Sequence, residues 1–171
     1  MIEVKVNQES FVYDVHSLIK AFYPEEEVNV REKDRFTEDA LLQMSAEIGE
    51  QEIEFALYEK QALQKKSRVC VENSQRKLVK NQLKRVIYQT LSDYTGRGLP
   101  WGTLTGIRPV KIPMSMLEQG RSNVEIADYM RSTYLCSNEK TALAVSIANR
   151  EREVLRGLDY QEGYSLYVGI P

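Results

Sequence analysis

Ile2, Val4 and Val6 alternate with polar residues, which predicts a half-buried strand at the start of the chain. Val12, Val15, Leu18, Ile19 and Phe22 then recur every three or four positions, the mark of an amphipathic helix, and Pro24 stops it. Val28 and Val30 suggest a second short strand. Alternation returns over Leu42, Met44, Ala46 and Ile48, and again over Ile53, Phe55 and Leu57. Gly49-Glu50 between these runs reads as a two-residue hairpin turn with glycine first. Glu52 and Glu54 make the other face of the second strand acidic. Residues 1–60 therefore predict β-α-β-β-β, a helix packed on a small antiparallel sheet. Residues 61–69 (QALQKKSRV) read as a polar connection.

A long amphipathic helix is expected from about Asn73 to Tyr94, with Val79, Leu83, Val86, Ile87, Leu91 and Tyr94 as its apolar stripe. Lys77, Lys80 and Lys84 run down the opposite side, and Gly96 and Gly98 end the helix. Three further helices follow the segment LPWGTLTGIRPV. The first spans Pro109 to Leu117, interrupted at Pro113 and stopped at Gly120. The second opens at Ser122, with Glu125 at capping-box spacing. The third runs from Ser137 to about Leu158, with Leu143, Ile147 and Val154 on one stripe and Ala144, Ala148 and Leu155 beside it. A strand-like run, YSLYVGIP, occupies 164–171. The fold class is α+β, divided into an α/β unit (1–70), a helical subdomain (71–160) and a terminal strand segment (161–171).

Composition narrows the classes. The chain has 171 residues, 42% hydrophobic and 28% charged, which argues against disorder. No apolar run approaches the ~20 residues of a membrane span, and MIEVKVNQES lacks the regions of a signal peptide. Cys70 and Cys136 lie too far apart in sequence for a local metal knuckle or a disulfide scaffold. A cytoplasmic protein is expected. The net charge of -2 conceals a segregation. Residues 1–60 hold 6 basic and 15 acidic side chains, whereas residues 61–120 hold 11 basic and 3 acidic. Such asymmetry suggests an anionic partner, or two faces of one protein neutralising each other.

Familiar catalytic signals are absent. His16 is the sole histidine, and its place in the first helix suits a structural or exposed residue. Neither a P-loop nor a GxGxxG fingerprint occurs. Lys77, Lys80 and Lys84 line one helix face and suit phosphate or carboxylate contacts, yet the same spacing describes a solvated face or one paired with the acidic unit. No aromatic is interleaved with them, which weakens a single-stranded nucleic-acid reading. Trp101 to Lys111 is the most unusual segment. Gly102 and Gly106 permit close backbone approach, and Thr103 and Thr105 offer hydroxyls. Arg108 precedes Pro109, where a helix can begin, so it suits a carboxylate site at a helix N-terminus. It equally suits a buried Trp with a tight turn and an Arg capping a neighbouring carbonyl.

WGTLTGIRPVK (101–111) resembles the WG-x-LTGIRP-x-K segment of oxygen-independent coproporphyrinogen III oxidase-like proteins, in the long-N-terminus coproporphyrinogen dehydrogenase branch. YSLYVGIP is similar to the strand that opens that family's radical S-adenosylmethionine (SAM) domain. The resemblance runs from about residue 97 onward; residues 1–96 match only in general layout. It implies the N-terminal part of a longer enzyme, cut ahead of the barrel to which the last strand belongs. The parent would carry a [4Fe-4S] cluster on three cysteines, with SAM at the open iron, and would oxidatively decarboxylate coproporphyrinogen propionates in haem biosynthesis. Cys70 and Cys136 do not match the cluster positions, so no catalytic or metal-ligating residue is carried over.

For this chain the resemblance implies an accessory domain. Trp101, Gly102, Thr105, Gly106, Arg108, Pro109 and Lys111 would bind substrate or dock onto the catalytic domain, and Lys77, Lys80 and Lys84 are candidate anion ligands. Arg108 and Lys111 match the motif, and an Arg fork binds carboxylates well. Val110 stands where the family pattern favours Thr, which weakens a hydroxyl-based role there. The partners implied are the parent's own radical SAM domain and, through it, a tetrapyrrole. The competing functions are a nucleic-acid-binding module built on the basic helix and a purely structural docking domain. If its barrel neighbours are missing, the strand at 164–170 should be disordered, added to the N-terminal sheet, or paired with another copy.

Overall fold

The computed structural model describes residues 1–31, 40–71, 73–106 and 108–157. Its first half is a five-stranded sheet in the order β2-β1-β3-β4-β5. The strands are β1 (Ile2–Val6), β2 (Val28–Arg31), β3 (Leu42–Ile48), β4 (Glu52–Glu59) and β5 (Ala62–Cys70). β1 runs parallel to both neighbours, with Ile2 opposite Val28 on one side and Leu42 on the other. The sheet is therefore mixed, where the pattern of residues 1–60 predicts an antiparallel one. The cause is the helix α1 (Val12–Phe22): a helix between two paired strands returns the chain to the end where it began, so the second strand runs parallel to the first.

The hairpin of β3 and β4 forms with the expected apolar alternation, Ile48 opposite Ile53. Its turn lies one residue later than expected. The Gly49 amide donates to the Glu52 carbonyl oxygen at 2.9 Å, so Gly49 is paired and Glu50-Gln51 make the turn.

Residues 61–69 are not a connection but most of β5. Its alternation is one of polar residues: Lys65, Ser67 and Val69 are half-buried while Lys66, Arg68 and Cys70 are exposed. A periodicity written in lysine and serine escapes a search for apolar periods. Lys66 and Arg68 each reach Glu54 of β4 at 2.6 Å, and such charges suit an edge strand.

Two helices cover one face of the sheet. α1 contributes Val15, Leu18, Ile19 and Phe22, and α2 (Arg76–Thr95) contributes Val79, Leu83, Val86, Ile87 and Leu91. They close over Ile2, Val4, Met44, Ile53, Phe55 and Leu57. Each such side chain gains roughly 1.5–3 kcal/mol on burial, so this layer is the main source of cohesion in the first half. Gly96 ends α2 in the left-handed region, φ 68°.

The second half holds α3 (Lys111–Glu118), α4 (Asn123–Tyr134) and α5 (Asn138–Val154). Leu117, Ile126, Met130, Tyr134, Ala144 and Ala148 form a second apolar cluster. α3 starts two residues later than expected, and Pro113 does not interrupt it, because a first-turn residue has no intrahelical acceptor to lose. The Ser122–Glu125 capping box is present in full. Of the two stripes expected on α5, the one of small residues faces inward. Thr141, Ala144 and Ala148 point inward, while Leu143, Ile147 and Val154 are exposed. Small residues let α5 lie close against α3 and α4, and the larger stripe turns outward. The expected strand at 164–170 lies outside the described residues.

Candidate anion-binding cleft

The segment 101–106 bridges the two apolar clusters. Its first half is bolted to the corner between α4 and α5. The Thr103 amide donates to the Tyr134 carbonyl oxygen at 2.8 Å, the Ser137 amide to Pro100 O at 2.9 Å, and Cys136 Sγ to Trp101 O at 3.3 Å. Gly102 sits at φ 57°, and a Cβ there would meet Tyr134 O at 1.9 Å. Only glycine fits so close an approach in that conformation. Trp101 is half-buried, with Lys140 Nζ 5.6 Å from its ring centroid. Trp101 and Gly102 thus serve the internal joint.

Two residues on, the segment reaches the other half. Thr105 Oγ1 lies 3.1 Å from Ser17 Oγ of α1 and accepts from Lys84 Nζ of α2 at 3.0 Å. Lys84 is only 8% exposed, so it is not part of a solvated stripe. Burial lowers its pKa, with Asp14 opposing and Lys80 reinforcing. Lys80 Nζ stands 3.6 Å from Asp14 Oδ1. The basic middle segment is thus answered in part by the acidic first unit, at Asp14 and at Glu54.

A cavity of about 430 Å³ lies where these elements meet, walled in part by Asp14, Lys77, Lys80, Lys84, Thr105 and Gly106. A second, of about 610 Å³, shares Lys77, Ile112 and Tyr134 with it and extends to Lys111, Met116, Arg121 and Tyr129. Arg121 pairs with Glu125 at 3.0 Å. Lys77 and Lys111 have no ion-pair partner among the described residues. Burial, with Tyr129 beside it, holds the Tyr134 phenol well above its ordinary pKa. Burial also pushes the Cys136 thiol up to about 11, so it is no nucleophile at neutral pH. The cleft offers no acid–base pair with evident chemistry; it offers cations beside an apolar and aromatic wall, which is a means of binding.

Of the residues singled out in the sequence, the fold gathers Lys77, Lys80, Lys84, Thr105, Gly106 and Lys111 around the two cavities. Arg108 stands apart, 70% exposed and 3.5 Å from Glu151 of α5. Pro109 precedes α3 and is half-buried. Asp14, Ser17, Arg121, Tyr129 and Tyr134 carry no sequence signal for this site; they reach it only through the packing of α1 and α4 against the bridge.

A comparison with curated proteins aligns 96 residues of this chain, 34% identical, with the oxygen-independent coproporphyrinogen-III oxidase-like protein HemZ of Bacillus subtilis (strain 168). Over that stretch the chain is similar to a protein of the oxygen-independent coproporphyrinogen-III oxidase-like kind. The aligned stretch is 56% of this chain and 19% of HemZ. No family model and no solved structure matches the chain. The family resemblance read in the sequence raises the question of an iron–sulfur site. Among the described residues no group of three or more His, Cys, Asp or Glu is placed to hold a metal ion. Cys70 is exposed on β5 and Cys136 is buried in the second cluster, so the two do not fit a three-thiolate cluster site. No described helix is long and apolar enough to cross a membrane.

Proposed function

We propose that this chain is an N-terminal accessory domain of a cytoplasmic radical SAM enzyme of the oxygen-independent coproporphyrinogen-III oxidase-like kind, acting in haem biosynthesis. The observation that carries the reading is the alignment with HemZ, a protein named for its likeness to oxygen-independent coproporphyrinogen-III oxidase. The cluster and SAM are assigned to the parent's catalytic domain, not to residues of this chain. Two roles fall on the 101–111 segment. Trp101 and Gly102 set the joint between the two halves, while Arg108 and Lys111 are exposed and available to a catalytic domain or a carboxylated substrate.

The deciding experiment is an anaerobic assay of the full-length protein with SAM and coproporphyrinogen III. SAM-dependent loss of propionate carboxyl groups supports the reading, and its absence in a protein shown to bind SAM overturns it. Arg108→Ala separates the roles: a raised KM with intact domain association marks substrate contact, and loosened association with unchanged substrate affinity marks docking. A nucleic-acid-binding role for α2 draws less support, because Lys84 is buried and Lys80 is paired with Asp14.

A further inference from the structure

Lys84 is the one buried lysine among the described residues, and among them it makes no ion pair. An ammonium carries three donors and no acceptor, so the Thr105 hydroxyl alone serves a buried one poorly. A neutral amine that donates one hydrogen bond keeps a lone pair. The neighbouring bonds have a fixed direction. Ser17 Oγ donates to the Asp14 carbonyl oxygen at 3.2 Å. The Thr105 hydroxyl, 3.1 Å from Ser17 Oγ, therefore gives its hydrogen to Ser17 and only accepts from Lys84. The lone pair of a neutral Lys84 is thus left unbound. The carboxylate of Asp14 pairs with Lys80 at 3.6 Å, so it does not pin Lys84 as an ammonium. Burial lowers the Lys84 pKa and favours the free amine.

This amine borders open space. Lys84 lines the cavity of about 430 Å³, a volume within the roughly 300–1,000 Å³ of small-molecule sites. Gly106 in the same wall is exposed, and a Cβ built on it would meet nothing within 4 Å, so the cavity is open there. Ile112 and Tyr134 give it an apolar side. We infer that Lys84 is a nucleophilic amine that binds a small aldehyde covalently in this cavity, as an imine. The Nζ lone pair forms a bond to the carbonyl carbon. The two hydrogens of the amine then leave with the carbonyl oxygen as water, so no oxidant or reductant is consumed. A proton taken up from solvent gives the imine an N–H that again donates to Thr105. A lysine kept only for packing has little reason to stand here, since an apolar side chain of like size would cost nothing in its place.

The probe is pyridoxal, an aromatic aldehyde, added to the 171-residue chain near neutral pH with cyanoborohydride, which reduces any imine to a stable secondary amine. Peptide mass spectrometry then reads the rate at each lysine. Lys84 is expected to be trapped at least about tenfold faster than the exposed Lys60. Lys84→Met should abolish the fast phase and leave the slow labelling of other lysines unchanged; circular dichroism and a thermal melt establish that the variant is folded. The pH profile supplies a second readout. The groups that face the cavity are Tyr13 and Asp14 from α1, Lys77 and Lys80 from α2, and Tyr134 from α4. With Asp14 opposing and Lys80 reinforcing the effect of burial, the Lys84 rate should level off at a lower pH than the Lys60 rate. Labelling spread evenly over the lysines overturns the proposal. So does a fast phase that survives Lys84→Met, or a Lys84 profile that coincides with that of Lys60.

Discussion

Lys84 donates from Nζ to Thr105 Oγ1 across 3.0 Å, so a nearly buried cation of the long helix is held by a hydroxyl of the bridging segment. The bond joins α2 to the segment that bridges the two apolar clusters. Thr105→Val keeps the shape and removes the acceptor, and should cost about 1–3 kcal/mol in urea denaturation. Lys84→Met removes the charge itself and should be near neutral or mildly stabilising. The pH dependence has a definite sign. The folded pKa of Lys84 lies below its ordinary 10.5, so between those values the unfolded chain binds more protons. The penalty of burying Lys84 is therefore full below its folded pKa and fades as pH rises through that pKa toward 10.5.

Tyr23 works in the opposite direction. Burial pushes its phenol from the usual 10.0 up to about 12, and its hydroxyl is buried with no hydrogen-bond partner among the described residues. Its ionisation leaves stability untouched below pH 10 and lowers it as pH rises from 10 toward about 12, where the unfolded chain gives up the proton first. Tyr23→Phe should raise stability at pH 7 by about 1 kcal/mol, since it removes an unpaired buried group. The same variant should flatten the alkaline decline, measured as the denaturation midpoint from pH 8 upward.

Two glycines of the bridging motif should behave differently. Gly102→Ala forces a Cβ to within 1.9 Å of a backbone oxygen at φ 57° and should cost about 3 kcal/mol or more. A Cβ on Gly106 meets nothing within 4 Å, so Gly106→Ala should change stability by no more than about 0.5 kcal/mol. Thermal melts of the pair compare the joint with the loop tip directly.

Arg108→Ala should leave stability within about 0.5 kcal/mol of the unsubstituted chain, because its ion pair with Glu151 is exposed and long at 3.5 Å. Chemical denaturation of the two chains side by side checks this. A defect of the variant in the assay proposed above would then report on function and not on folding.

The legible parts of the fold were those written in apolar periods. α1, α2, β1 and the β3–β4 pair follow from Val, Leu, Ile and Phe spacing, and the start of α4 from Ser122 and Glu125. β5 was hidden because its inward side is Lys65, Ser67 and Val69, which lie under α2 through Lys65–Asp93 and Ser67–Thr90 contacts and not through apolar bulk. Apolar spacing left the inward stripe of α5 open, because alanines and a threonine, not its largest side chains, make the close contact. The site was half legible. The lysines and the 101–111 motif were visible in one segment, but Lys84 was unrecognisable as a buried residue without Ser17 and Thr105 around it.

Thr103 is fastened to the α4–α5 corner and Thr105 to α1 and α2, and Leu104 alone separates the two anchor points. The bridge therefore acts as a caliper whose setting is one residue. An inserted residue would let the jaws open by up to about 3.8 Å, the step between consecutive Cα atoms, and a deletion would pull them together. The spacing of the α4–α5 corner from α1 and α2 is in this sense spelled out in the length of a tripeptide.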